Sequence, residues 1–169
     1  EPRDLNYTTK EFADWNALVA AYTSMQSTYF TYAEVLKLGS DISFDGYNEI
    51  TESCSEDYNS ISLQGTAFDG QNKTIKNFCK IGESASFFHA SSNVAIENVV
   101  FENAYIEIEA ARNEAFIRSG SIVVDSLVGS GSFSGVTVKD SKINVVAGDM
   151  VSTYAAGALA GWVTSAEIE

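Results

Sequence analysis

Two stretches of this chain can be laid on each other without a gap. Ile96-Glu-Asn-Val-Val-Phe-Glu-Asn-Ala-Tyr-Ile-Glu-Ile108 aligns with Phe133-Ser-Gly-Val-Thr-Val-Lys-Asp-Ser-Lys-Ile-Asn-Val145 at an offset of 37 residues. Apolar residues coincide at Ile96/Phe133, Val99/Val136, Phe101/Val138, Ile106/Ile143 and Ile108/Val145, and small turn-formers at Asn98/Gly135, Asn103/Asp140 and Ala104/Ser141. A partial copy follows at Ile168, 35 residues beyond Phe133, and a weaker one is expected at Ile75-Lys-Asn-Phe78, 21 residues before Ile96, with Lys80 where the other copies have Phe101 and Val138. A repeat of this size, made of short β-branched segments with small residues between them, cannot bury its apolar face alone and needs a neighbouring copy to do so.

The expected architecture is therefore all-β, a parallel β-helix in which inward Ile, Val and Phe stack turn on turn. Corner residues such as Asn98 tolerate the left-handed backbone and can ladder with their neighbours. Period-2 segments at Glu34–Leu38, Asp41–Phe44, Ile61–Leu63, Val136–Val138 and Ile143–Val145 read as strands. The start of the chain reads differently. Phe12, Trp15, Leu18, Val19, Tyr22 and Met25 recur at three- and four-residue spacing, and Thr8-x-x-Glu11 has the spacing of a capping box, which predicts an amphipathic helix over about 9–25. That helix is expected to lie over the open end of the stack, as a cap spanning residues 1–30, with the β-helix occupying 31–169.

Gln64-Gly-Thr-Ala-Phe-Asp-Gly-Gln-Asn-Lys-Thr-Ile-Lys-Asn77, followed by Gly157-Ala-Leu-Ala-Gly161 and the degenerate Ser126-Leu-Val-Gly129, resembles the repeat of bacterial GLUG-type proteins over about 60–169. The resemblance implies a right-handed β-helix belonging to a large secreted or surface-anchored protein, often adhesin-like, or to a peptidase that carries such repeats outside its catalytic domain. It brings no catalytic residue with it. Lys80 and Ser126 depart from the pattern and blur the repeat boundaries.

Charge excludes partners. Ten Lys and Arg against 23 Asp and Glu give a net charge of −13, which repels nucleic acid and anionic lipid surfaces. Residues 1–69 hold 12 acidic and 3 basic side chains, so most of the excess lies before the repeats. No apolar run is long enough to span a membrane. One His and two Cys exclude a Cys/His zinc cluster and any Ser-His site not built on His89. The chain opens at Glu1 with no initiator Met and stops at Glu169 within what reads as a further repeat, which suggests a processed or excised part of something longer continuing into more repeats.

Several residues are candidates for chemistry. Asp41, Ser43, Asp45, Gly46, Glu49 and Glu52 fall at positions 1, 3, 5, 6, 9 and 12 of a calcium loop, but the preceding strand-like Glu34–Leu38, Asn48 in place of an apolar residue and the alternation of Ile42 with Phe44 favour an acidic strand and turn. Cys54 and Cys79 are placed either as a disulfide pinning the 48–60 loop or as two buried thiols. Glu56-Asp57 and Glu107 with Glu109 are carboxylate pairs, the latter expected on the outer face of one strand and solvated there. His89 reads as a structural corner residue, a catalytic role requiring an oriented carboxylate and a nucleophile. Tyr29, Phe30, Tyr32, Tyr47, Tyr58, Tyr105, Tyr154 and Trp162 are the aromatics from which a ligand platform would be drawn. The expected function is a non-catalytic, extracellular or cell-surface module for adhesion or display that binds a protein or glycan through its flank, with no cofactor unless calcium. The competing readings are a carbohydrate-binding or carbohydrate-active β-helix and an accessory region of a secreted peptidase.

Overall fold

The structure, a computed structural model, describes residues 8–12, 34–48, 50–51, 53–54, 62–63, 65, 67–89, 91–109, 118–146, 153–164 and 167–168. Within them every regular element is a strand: β1 (Thr8–Phe12), β2 (Glu34–Leu38), β3 (Ile42–Ser43), β4 (Tyr47–Asn48), β5 (Ser53–Cys54), β6 (Ala67–Lys76), β7 (Cys79–Gly82), β8 (Ser84–Ala85), β9 (Ser91–Ser92), β10 (Ala95–Glu102), β11 (Tyr105–Ile108), β12 (Arg118–Ser121), β13 (Val124–Val128), β14 (Ser132–Lys139), β15 (Lys142–Val145), β16 (Tyr154–Gly157), β17 (Ala160–Thr164) and β18 (Glu167–Ile168). The main sheet runs β1-β2-β6-β10-β14-β18, with β3 also on β6; three smaller sheets run β7-β11-β15, β8-β12-β16 and β9-β13-β17. From β6 onward the chain visits these sheets in fixed rotation, one strand to each. All these pairings are parallel, and β4–β5 alone among the described strands forms an antiparallel hairpin.

The residues that align in the sequence are neighbours across strands. Ile96 stands opposite Phe133, Val99 opposite Val136 and Phe101 opposite Val138; Ile106 faces Ile143, Ile108 faces Val145, and Phe133 faces Ile168. The weaker first copy is paired differently from the sequence alignment. Ile96 lies opposite Phe68, while Ile75 lies opposite Phe101 and Lys80 opposite Ile106. The cause is a register shift: Asp69 faces Glu97 but the next paired residue after it is Lys73, facing Val99, so Gly70, Gln71 and Asn72 occupy the place that Asn98 fills alone. Gln71 and Asn72 take the extra residues up at positive φ, 50° and 58°.

Two further expectations are corrected. Residues 8–12 form a strand rather than the start of a helix; Thr8 and Thr9 are β-branched, and the segment covers an edge of β2 that would otherwise present unpaired backbone groups. The rest of the expected helix, 13–25, lies outside the described residues. Ser62 and Leu63 are not in a strand, although Leu63 is tied to the next turn by Ser92 N–H donating to its carbonyl at 2.9 Å.

Left-handed residues mark the corners, both between sheets and within the long strands of the main sheet. Asn98 and Gly135 share one corner row inside β10 and β14 at φ 51° and 62°; Asn77, Asn103 and Asp140 form a second, between the first sheet and the next, at 61°, 51° and 49°; and Asn93 and Gly129 a third at 51° and 75°. Asn and Asp accept this backbone because their short polar side chains bond locally, and Gly because it has no Cβ. Asn103 Nδ2 donates to Asn77 Oδ1 at 2.9 Å, Asn77 Nδ2 to Ser43 Oγ at 3.2 Å and Asn98 Nδ2 to Asp69 Oδ1 at 3.2 Å, and Ser130 N–H donates to Asn93 Oδ1 at 3.0 Å, so each row also bonds from turn to turn. Inside, the row Leu36, Phe68, Ile96, Phe133 is buried throughout, and Phe87 sits among Phe44, Phe78, Phe88 and Phe101 with ring centroids 4.8–6.2 Å apart, all edge-on. Burying each such ring contributes about 1.5–3 kcal/mol.

Candidate functional site

The best-defined polar and aromatic cluster lies outside the sheet β7-β11-β15. Strand alternation puts Tyr105 and Glu107 on one face of β11, and Tyr105 Oη donates to Glu107 Oε2 at 2.6 Å. Asn144, the residue opposite Glu107 on β15, donates through Nδ2 to the same oxygen at 3.1 Å. Oε1 is left without a hydrogen-bond partner among the described residues. Tyr47 stacks on Tyr105 with centroids 5.0 Å apart and planes 13° from parallel. A short circuit holds it there: Tyr47 faces Cys54 in the hairpin, Cys54 is disulfide-bonded to Cys79 with Cα atoms 5.7 Å apart, and Cys79 lies opposite Tyr105. Tyr47 N–H also donates to the Asn77 carbonyl at 2.8 Å. Burial, and then the hydrogen bond to Glu107, push the Tyr105 phenol up to about 12. It is therefore a neutral donor throughout the physiological range. Tyr105 is only 7% exposed, so it supports Tyr47 rather than meeting a ligand with an open face.

A second constellation brings His89 to Asp125. Phe88 bridges Val124, which places the following residues side by side, and His89 Nδ1 lies 2.5 Å from Asp125 Oδ2. The carboxylate is 1% exposed and the imidazole 48%. The sequence offers no sign of this carboxylate: the 37-residue offset carries His89 to Ser126, and Asp125, one residue short of that, comes beside His89 only through the Phe88–Val124 pairing. The hydrogen bond to Asp125 raises the His89 pKa above 6.5, against burial and Lys80. Because the folded value lies above the unfolded one, the pair's contribution is fully present below about pH 6.5 and is lost as pH rises through the folded value. Urea unfolding across this range should show wild type losing stability relative to His89→Gln with rising pH, by less than about 1 kcal/mol given the half-exposed ring. Equal pH profiles for the two proteins would remove the pair from the account.

The proposed calcium residues do separate work in the described part. Asp41 Oδ1 accepts the Thr74 amide at 2.8 Å, Ser43 lies in β3 and accepts from Asn77, Asp45 is exposed, and Gly46 is buried against the backbone of Asn77 and Cys79. Glu49 and Glu52 lie outside the described residues, as do Glu56, Asp57, Tyr29, Phe30, Tyr32 and Tyr58. Among the described residues no three His, Cys, Asp or Glu side chains are grouped so as to hold a metal ion. Tyr154 packs against the core, and Trp162 is exposed at the last turn. On the main sheet Glu102 meets Lys139 at 3.3 Å and Lys76 at 3.5 Å, and these two lysines, Lys139 foremost, hold its carboxyl below the usual range. Arg118 is buried against Glu83, with its Nε unpaired among the described residues.

Together these define, among the described residues, an all-β arrangement of parallel sheets with a phenylalanine-rich core and with Tyr47, Tyr105, Glu107 and Asn144 gathered outside the sheet β7-β11-β15. No helix among the described residues is long and apolar enough to cross a membrane. Compared with known proteins, the chain matches no family model, no curated protein and no solved structure.

Proposed function

We propose that the chain is a right-handed parallel β-helix module, extracellular or at a cell surface, that works without catalysis by binding a protein or glycan through its flank. The fold reading is supported by the rotation of successive strands among the same sheets and by core rows that keep register from turn to turn. The binding reading is carried by one observation: Tyr47, Tyr105, Glu107 and Asn144 are gathered on an outer face and held by a disulfide, rather than scattered.

A further turn of the same kind is the proposed neighbour of β15 and β17. Val145 is 40% exposed where Ile108, opposite it, is fully buried, and Val163 is 40% exposed where Leu127 is fully buried. Rows closed in one turn are open in the next, and a parallel strand with apolar residues in the same rows would close them.

The test is to present the immobilised chain to a glycan array and to a panel of extracellular-matrix proteins, in calcium and in chelator. Saturable binding indifferent to the chelator is expected. Cleavage of a bound glycan would replace the binding reading with an enzymatic one, calcium-dependent binding would restore the Asp41–Glu52 loop as a ligand site, and silence across both panels would remove flank binding.

A further inference from the structure

We propose that the Tyr47 cluster binds a neutral hexopyranose, an inference that rests on reading the flank as a ligand-binding surface. Three features of the cluster select this chemistry. The first is a fixed aromatic ring. Tyr47 is only part-buried, it is stacked on a second tyrosine, and its backbone is tied to Asn77 and, across the hairpin, to the disulfide. A ring already immobilised loses little conformational entropy when a ligand lies against it, and the C–H face of a pyranose is an apolar surface of matching size.

The second feature is an oriented acceptor. Tyr105 and Asn144 both engage Glu107 Oε2, which fixes the plane of the carboxylate and leaves Oε1 directed by bonds that do not have to form on binding. Asn144 spends its amide N–H on that carboxylate, so its Oδ1 is a second acceptor with no partner among the described residues. Two acceptors beside one ring call for a ligand that supplies two donors next to an apolar face. Adjacent hydroxyls on a pyranose do so, and a hydrogen bond to an ionised acceptor is roughly twice as strong as one between neutral groups.

The third feature is charge. A net charge of −13 and an unneutralised Glu107 oxygen disfavour a uronate or a sulfated sugar at this position. A lysine or arginine side chain would satisfy the carboxylate and could lie on Tyr47, but Lys142 stands opposite Tyr105 on the neighbouring strand and places a like charge beside such a ligand. Ile81, half-buried and opposite Glu107 on the other side, extends the apolar surface rather than adding a further charge. Aromatic surface and paired acceptors, with the Glu107 carboxylate set against an anionic ligand and the neighbouring Lys142 against a cationic one, together fit a neutral, hydroxylated ring.

Amide chemical-shift mapping by NMR on the chain tests this, with cellobiose, galactobiose, digalacturonate and a lysine-rich peptide as probes. A neutral disaccharide should shift the amides of Tyr47, Tyr105, Glu107 and Asn144 saturably, with a Kd of about millimolar, as suits a shallow surface. Tyr47→Ala should weaken this at least about fivefold, the worth of one aromatic contact. Glu107→Ala should weaken it as well, and Lys76→Ala on the main sheet should leave it unchanged. If Tyr47→Ala fails to give a cooperative thermal transition, Glu107→Ala and Asn144→Ala carry the test. Binding of the peptide in place of the sugars, or sugar binding indifferent to both Tyr47 and Glu107 in folded variants, overturns the proposal. If glycan-array binding persists in Tyr47→Ala, the flank reading stands and this assignment falls; if the wild type binds neither array nor matrix panel, both fall.

Discussion

Phe87→Ala is expected to lower the stability of the chain by about 3–5 kcal/mol, the largest effect of any single side chain described above. Phe87 is fully buried and makes edge contacts with Phe44, Phe78, Phe88 and Phe101 at 6.2, 5.2, 4.8 and 5.2 Å. Those four rings come from different parts of the chain, two of them from β10 and from the segment following β3, so the truncation opens a cavity that no single strand can collapse to fill. The neighbouring backbone is also committed: Phe87 N–H donates to the Ile122 carbonyl and Phe88 N–H to the Val123 carbonyl, which anchors the corner to the next turn. Urea unfolding followed by far-UV circular dichroism should give a lower midpoint with an unchanged slope, as a change in stability alone requires. Phe87→Leu, which keeps the site apolar, should cost less than half as much. A loss below about 1 kcal/mol for Phe87→Ala would mean that the ring is not closely packed.

The second large effect belongs to the Cys54–Cys79 bond. It closes a loop of sequence separation 25 and fastens the β4–β5 hairpin to β7. A cross-link of this span stabilises by about 2–4 kcal/mol, mainly by restricting the unfolded chain. Replacing both cysteines with serine should therefore lower the melting temperature by roughly 4–16 °C for a chain of this size. The loss should not be uniform. A two-stranded hairpin of two residues a side is not stable by itself, so hydrogen exchange at Tyr47 and Cys54 should accelerate before exchange in β10 does. The Tyr47–Tyr105 stack should loosen with it, which near-UV circular dichroism reads directly. Uniform acceleration across the sheets would show instead that the bond acts on the whole fold and not on the hairpin.

Much of the architecture is legible in the sequence, and the reasons can be given residue by residue. The stretches 96–108 and 133–145 align because each apolar residue in one must lie against its counterpart in the other, and their strands pair in that register. The first turn is harder to read because Gly70, Gln71 and Asn72 lengthen one corner, displacing the residues before Lys73 relative to those after it. An alignment without gaps cannot show that. At the N-terminus the helical spacing begins at Phe12, but the free edge of β2 claims residues 8–12 as a strand, a tertiary demand that local periodicity does not carry. The candidate site divides in the same way. Glu107 on an outer face follows from alternation, whereas Asp125 beside His89 does not follow from the 37-residue offset, which leads to Ser126, and depends on the Phe88–Val124 pairing. The meeting of Tyr47 with Tyr105 does not follow either, because it depends on a hairpin and a disulfide that interrupt the repeat.

The corners differ in how much chain they hold. Residues 77–78, 103–104 and 140–141 join the first sheet to the second in successive turns, an unchanging length set by the bonded Asn77–Asn103 row. At the next corner Glu83 alone joins β7 to β8, whereas residues 109–117 join β11 to β12 and residues 146–153 join β15 to β16. The strands on either side keep their register despite this, Ser84 facing Ser119 and Ser119 facing Ala155. That corner accepts a change in chain length from one turn to the next without a change in the pairing on either side, so a peptide spliced between β11 and β12 is expected to leave the strand register as it is.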